Sequence, residues 1–412
     1  MMWNAIKGWD RAQWFMLPAL GLAAILLAGM LLHIVKEDPG TNSYALLADS
    51  FLHGKLDSAQ CFDGDCVNVD GKSYVIFPPV PAVIAMPFVA AFGTGFHGFA
   101  AIGFACLLGS VFLWWRIFEK IDVEKQTAVW LLLALAFGSP LFYVSIRADR
   151  VWFFAQSINF LLLSLAIHEV MRGGRIMLAG AYLGLAFLSR QMTILLAPFL
   201  FVLALKPEEN LISFKWPALK RVLAFGAPLI VAVAIYMAYN MARFGSPMET
   251  GYIHIAKPTL DQWSLINERL VHHGLFSKDY FLFNAFHLFI QGFHVEWGGS
   301  ALLSPLKLDP MGTSLLAASP FVLLVLFVPL DRETVIGGLC AMLILGITLF
   351  YHGNGFSQYN AQRFVLDWAP VLFFALGLSV SKALRPALAV LVIYAMGLNV
   401  VAMALLATLH QG

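Results

Sequence analysis

Trp14-Phe15-Met16-Leu17-Pro18-Ala19-Leu20-Gly21-Leu22-Ala23-Ala24-Ile25-Leu26-Leu27-Ala28-Gly29-Met30-Leu31-Leu32-His33-Ile34-Val35 runs straight into Lys36-Glu37-Asp38-Pro39-Gly40, and this stretch decides the fold. A membrane-crossing helix needs about 20 mostly apolar residues, and the first part supplies them. The run is too long for the apolar segment of a signal peptide, and no small-residue cleavage site follows it. Pro39 disfavours helix at the residue before it. Glu37 and Asp38 therefore sit where the chain leaves the bilayer.

The rest of the chain agrees with that start. It has 412 residues, of which 60% are hydrophobic and 12% charged, and its mean hydropathy is +0.78. Water-soluble domains carry about 25% charged residues, so there is half the charge needed to cover a wet surface. Disordered, collagenous and coiled-coil readings fail on the same composition. A net charge of +2 is too small to call for a nucleic-acid partner. Four cysteines do not make a disulfide scaffold. The expected fold is an all-α polytopic membrane protein.

About eleven spans are expected, near 13–34, 98–116, 127–145, 151–168, 175–189, 191–205, 222–240, 312–330, 335–351, 366–381 and 386–408. The apolar run 175–205 is too long for one span and is divided at Ser189-Arg190-Gln191. Pro78, Pro79, Pro81 and Pro87 break the run at 78–96, which reads as re-entrant or interfacial. With the N-terminus in the cytoplasm, the inside segments hold 14 Lys and Arg against 9 Asp and Glu, or +5. The outside segments hold 12 against 15, or −3. Basic residues favour the cytoplasmic side, so this orientation is expected. It leaves two long outer segments, about 35–97 and 241–311, with apolar stretches such as 281–293 that suit amphipathic helices on the membrane surface. There is no internal repeat, so residues 1–412 read as one integral domain.

Charges inside or beside a membrane are costly and mark function. Two adjacent carboxylates at the end of the first span suit a general base whose pKa is raised by partial burial, although acidic residues at a helix end also suit plain solvation. After them come Tyr44-Ala45-Leu46-Leu47-Ala48-Asp49-Ser50-Phe51-Leu52-His53-Gly54, then Gly71-Lys72-Ser73-Tyr74, then Pro78-Pro79. Later pieces are Tyr239-Asn240-Met241-Ala242-Arg243-Phe244-Gly245-Ser246-Pro247 and Gln358-Tyr359-Asn360-Ala361-Gln362-Arg363-Phe364-Val365-Leu366-Asp367. In this order they resemble the GT-C superfamily of membrane glycosyltransferases, in the branch of protein O-mannosyltransferases and the lipid A aminoarabinose transferase. The resemblance runs over most of the chain. Its motifs are short and degenerate.

The resemblance implies a GT-C-like bundle, a polyprenyl-phosphate sugar donor and an extracytoplasmic acceptor, whether lipid, glycan or protein. It places the base at Asp38, with Glu37 beside it and Tyr44 as a substrate contact. The aminoarabinose type carries a Lys before the two prolines as a donor-phosphate contact. Here Phe77 stands there, and Lys72 is the nearest basic residue.

The residues themselves offer other phosphate ligands. Arg147, Arg150, Arg190, Arg243 and Arg363 all fall at outer ends of the expected spans. Guanidinium matches phosphate oxygens bidentately and keeps its charge; snorkelling at the interface is the ordinary alternative. Asp149, between two arginines, reads as their partner, with a second catalytic acid as the other possibility. His352 and Tyr359 lie near Arg363 in sequence and are candidate contacts for phosphate or acceptor. A metal site needs three or four converging ligands. His272, His273, His294 and Glu296 show no such spacing, so neither metal nor cofactor is expected. Cys61 and Cys66 flank an Asp-Gly turn in the outer loop and are expected to form a disulfide. Asp63 and Asp65 between them are too few ligands for calcium.

An inverting displacement is the expected chemistry, in a cell inner membrane with the active site outside. The alternatives are a transporter or flippase of lipid-linked sugars, or a glycan polymerase or ligase of similar architecture.

Overall fold

The computed structural model describes residues 11–62, 66–173, 175–206, 208–255, 265–355 and 358–409. Asp63 and Asp65 lie outside the described residues. The described residues are mostly helical, with two small antiparallel hairpins.

Every expected span is helical, but the helices differ in length. Among the described residues six are long and apolar enough to cross a membrane: α1 (Arg11–Val35), α4 (Phe99–Lys120), α7 (Val151–Met171), α10 (Trp216–Phe244), α14 (Arg332–Leu349) and α16 (Arg385–Leu409). A seventh forms if the bent pair Lys125–Gly138 and Pro140–Ile146 counts as one span; its two parts meet at 47°. These are α5 (Lys125–Leu133), whose last turn widens over Ala134–Gly138, and α6 (Pro140–Ile146). Pro140 cannot supply the amide that a continuous helix needs. The freed carbonyls find partners: Ser319 Oγ donates to Gly138 O at 2.6 Å and Asn399 Nδ2 to Phe137 O at 2.7 Å.

The other four expected spans are short or broken. They are α8 (Ile176–Phe187); Gln191–Leu196 as a tighter helix leading into α9 (Ala197–Leu203); α13 (Leu315–Ala318) followed by the tight helix Pro320–Phe327; and α15 (Ala369–Ser379). The proline-rich run at 78–96 becomes α3 (Val80–Phe92), only 13 residues long.

The two long segments fold onto the end of the bundle where Val35, Ile146, Phe187 and Phe244 lie. The first holds α2 (Ser43–Leu52), capped by Asn42, whose side chain accepts from the Tyr44 amide at 3.0 Å. It continues into β1 (Cys66–Val69) and β2 (Lys72–Val75), paired antiparallel. The second holds α11 (Leu265–His273), α12 (Phe281–Phe289), and the hairpin of β3 (Val295–Gly298) and β4 (Ser304–Leu308).

The bundle centres on α7, the most enclosed of the long helices. It is packed on α4 through Trp114 Nε1, which donates to Ser164 Oγ at 3.0 Å. Helices α8 and α10 approach so closely that a Cβ on Gly180 would lie 2.2 Å from Phe225 O. At the far end Arg385 pairs with Glu124 and Gln126, and Arg221 forms two bonds of 2.6 and 2.8 Å to Glu209.

Candidate functional site

The expected acidic pair is divided between two environments. Glu37 is buried, and its carboxylate accepts the Phe99 and Ala100 amides at 3.0 and 2.8 Å. It thereby closes the N-terminus of α4, where free amides and the helix dipole favour an anion. Burial pushes its pKa up, although the two amides oppose this. Asp38 is exposed. Among the described residues its carboxylate has no partner, so it is the member of the pair open to a ligand.

The loop holding this pair rests on the turn between α6 and α7. Thr41 Oγ1 shares its proton between Asp38 O and Asp149 O, both at 3.3 Å, and Asn42 Nδ2 donates to Ala148 O at 3.3 Å. Asp149 is buried and faces three donors: His33 Nε2 at 3.2 Å, Arg147 Nε at 3.3 Å and Arg150 Nε at 3.5 Å. Burial pushes its pKa up, but the His33 hydrogen bond and the two guanidiniums outweigh this and hold it below the usual carboxylate range. One carboxylate facing two arginines leaves surplus positive charge. Arg147 and Arg150 remain partly exposed, at 23% and 38% of their side chains.

From this turn the arginines continue as a row. Tyr143 lies within electrostatic reach of Arg147, Tyr359, Arg363 and Asp149. Arg363 is buried; its guanidinium stands 5.2–5.5 Å from the rings of Trp152, Phe153 and Phe364, with Nε on Gly355 O at 3.2 Å. Arg190 approaches the same Phe364 ring at 5.4 Å. Its Nε and Nη2 bond to Asp367 at 2.5 and 2.7 Å. Tyr252 lies within electrostatic reach of both Arg190 and Arg243. Arg243 is 3% exposed and stacks 3.6 Å from the Tyr239 ring. Its Nη1 donates to Val75 O and its Nη2 to Asn240 Oδ1, both at 2.9 Å. Among the described residues no carboxylate neutralises Arg243.

The remaining candidates are distributed around this row. Tyr44 is buried between the Phe77 and Phe154 rings, each 5.9 Å away. Phe77, at the position of the missing Lys, thus fills space in an aromatic wall. Lys72 is exposed on β2, on the same hairpin as the Val75 carbonyl that Arg243 holds. Tyr359 has a left-handed backbone, φ 47°, and its carbonyl accepts from the Thr313 amide at 2.6 Å.

His352 is buried beside Tyr252 and Tyr351, and among the described residues its Nδ1 has no partner. Burial, reinforced by Arg269, pulls its pKa down to about 4, so it is neutral at ordinary pH. Cys61 and Cys66 form a disulfide, and Phe62 between them donates its amide to Ser43 Oγ at 3.3 Å. Among the described residues no three His, Cys, Asp or Glu side chains gather to hold a metal ion.

Sequence reading missed three members of the site. His33 looked like a lone polar residue in an apolar run, although a titratable group inside a span is itself a signal. Asp367 gave no hint that it pairs with Arg190, 177 positions earlier. Arg269 holds the His352 loop, with Nη1 donating to His352 O at 2.7 Å and to Asn284 Oδ1 at 3.2 Å.

No family model matches this sequence, and no curated protein does. Solved structures do. ArnT from Cupriavidus metallidurans bound to undecaprenyl phosphate superposes with a TM-score of 0.50 and 14% identity, over 94% of this chain and 63% of the other. The same protein in its apo state gives 0.46 and 13%, over 87% and 59%. What is shared is a GT-C-like fold. This chain spans about 63% of the length of the ArnT chain it matches.

Proposed function

We propose that this protein is a membrane glycosyltransferase that moves a sugar from a polyprenyl-phosphate donor to an extracytoplasmic acceptor, with inversion at the anomeric carbon. The observation that carries this reading is the row of arginines beginning at Asp149, directly beneath the loop that presents Asp38. A phosphate ester leaving from the sugar develops negative charge, and preorganised guanidiniums stabilise it without rearrangement. The bound lipid phosphate in the ArnT structure that shares this fold agrees with that use.

Asp38 takes the proton from the acceptor hydroxyl as its oxygen attacks the anomeric carbon. The bond from that carbon to the phosphate oxygen breaks, and the electron pair leaves with the phosphate. Because this leaving group is already stabilised, no second carboxylic acid is needed to protonate it, unlike in ordinary glycosidases. Arg147 and Arg150 meet the phosphate first, being partly exposed; Arg363 and Arg243, both buried, add positive charge behind them. Arg190 contributes its remaining Nη1, and Lys72 the outer rim. Tyr44, Tyr359 and the neutral His352 shape the walls for substrate.

Purified protein in detergent, incubated with a panel of radiolabelled polyprenyl-phosphate sugars and cell-envelope lipid or glycan acceptors, tests the proposal. Label should move into a new product with the wild-type protein and not with Asp38→Asn, while the variant stays folded. Retained transfer by Asp38→Asn overturns the base assignment. Label that crosses vesicle membranes with no new glycosidic bond would establish a flippase instead.

A further inference from the structure

We infer that His33 is a positioning residue that acts through Asp149, fixing the Arg147–Arg150 turn against the loop of the acidic pair; the inference rests on the transferase reading above. Arg147 and Arg150 are sequence neighbours of Asp149, so their bonds to it are made within the turn itself. Among the described residues three hydrogen bonds tie that turn to the end of α1 and the following loop: Thr41 Oγ1 to Asp149 O, Asn42 Nδ2 to Ala148 O, and His33 Nε2 to Asp149 Oδ1. The first two hold backbone carbonyls. His33 alone among them touches the carboxylate, so of the three it alone bears on the rotation of that side chain.

That rotation matters because Asp149 Oδ1 is shared between His33 and Arg147, while Oδ2 faces Arg150. A buried carboxylate needs its donors. Without His33 the Asp149 side chain has, among the described residues, only the two guanidiniums to turn to. It would draw their N–H groups inward and away from an incoming phosphate. In the neutral ring an Nε2–H donor implies the tautomer with its lone pair on Nδ1. Glu37, also within electrostatic reach of His33 and Asp149, is an acceptor held by the α4 amides, so it cannot replace the His33 donor.

Two variants separate this role from simple space filling. His33→Gln keeps an N–H donor of comparable reach, whereas His33→Leu keeps bulk and loses the donor. In steady-state transfer with a polyprenyl-phosphate sugar, His33→Leu should raise KM about tenfold with a smaller change in kcat, as expected for one lost bond to a charged group. His33→Gln should stay within about threefold of wild type. In an Asp149→Asn background the two should not differ, because the residue they act through is already altered.

Equal impairment by Leu and Gln, or full additivity with Asp149→Asn, overturns the inference. If wild type transfers and His33→Leu matches it, the inference fails while the transferase reading stands. If wild type shows no transfer, binding of undecaprenyl phosphate alone decides, with wild type and His33→Gln expected to bind more tightly than His33→Leu. Absence of binding to wild type overturns both.

Discussion

Arg190 and Asp367 meet through two parallel bonds of 2.5 and 2.7 Å, with Asp367 only 1% exposed. Removing one partner of such a buried pair leaves an uncompensated charge and costs about 3–5 kcal/mol. Asp367→Asn should therefore lower the thermal unfolding temperature in detergent markedly, and Arg190→Met with Asp367→Leu should recover much of the loss.

His352 makes a pH prediction. Its folded pKa is about 4, pulled down from 6.5 mainly by burial. The unfolded chain takes up the proton at the higher value. Stability from the neutral ring is therefore fully present above pH 6.5 and is lost as pH falls toward 4, by about 3 kcal/mol at most. Unfolding temperature measured from pH 7.5 down to 4.5 should fall, and His352→Phe should flatten that slope.

At this scale the sequence exposed every arginine of the row, because charge stands out in an apolar chain. It hid their partners, because nothing in local spacing joins Arg190 to Asp367 or His33 to Asp149. Spacing alone did not separate Glu37 from Asp38; only the resemblance did, and that Glu37 caps α4 depends on where the Phe99 and Ala100 amides come to rest.

Elements were legible as apolar runs and illegible as paths. Hydropathy reports that a segment avoids water; it does not say whether the segment is one straight helix. Thus 191–205 reads as a span, yet its first turn winds tightly from Gln191 to Leu196 before α9 begins. The run 312–330 is likewise broken, since Ser319 and Pro320 interrupt it.

Close packing was equally invisible, because Gly is common in spans and which glycine is crowded depends on the helix it meets. Gly180→Val places side-chain carbon against the Phe225 carbonyl, where a Cβ alone would stand at 2.2 Å. Helices α8 and α10 must separate, at a cost of about 1–3 kcal/mol or more. Gly226 has nothing within 4 Å of a built Cβ, so Gly226→Ala should leave unfolding unchanged. Comparing the two by thermal denaturation tests whether this contact, rather than glycine content, holds the pair.

For the whole molecule, one end gathers Asp38, Asp149, the arginine row and both long segments, and the other gathers Arg221, Arg332 and Arg385 with their acidic partners. We propose that the second end faces the cytoplasm, as the positive-inside bias favours. The Cys61–Cys66 disulfide supports the same assignment, since such bonds persist outside a reducing compartment.

Orientation then has a direct test, because the two described free cysteines, Cys106 and Cys340, are buried. Lys72→Cys and Lys220→Cys place single exposed thiols at opposite ends. In intact cells a membrane-impermeant maleimide should label Lys72→Cys and spare Lys220→Cys until the membrane is opened. The opposite pattern would put the arginine row at the cytoplasmic face. A donor on the outer leaflet could not reach it there, and the transfer proposed for this site would lose its substrate.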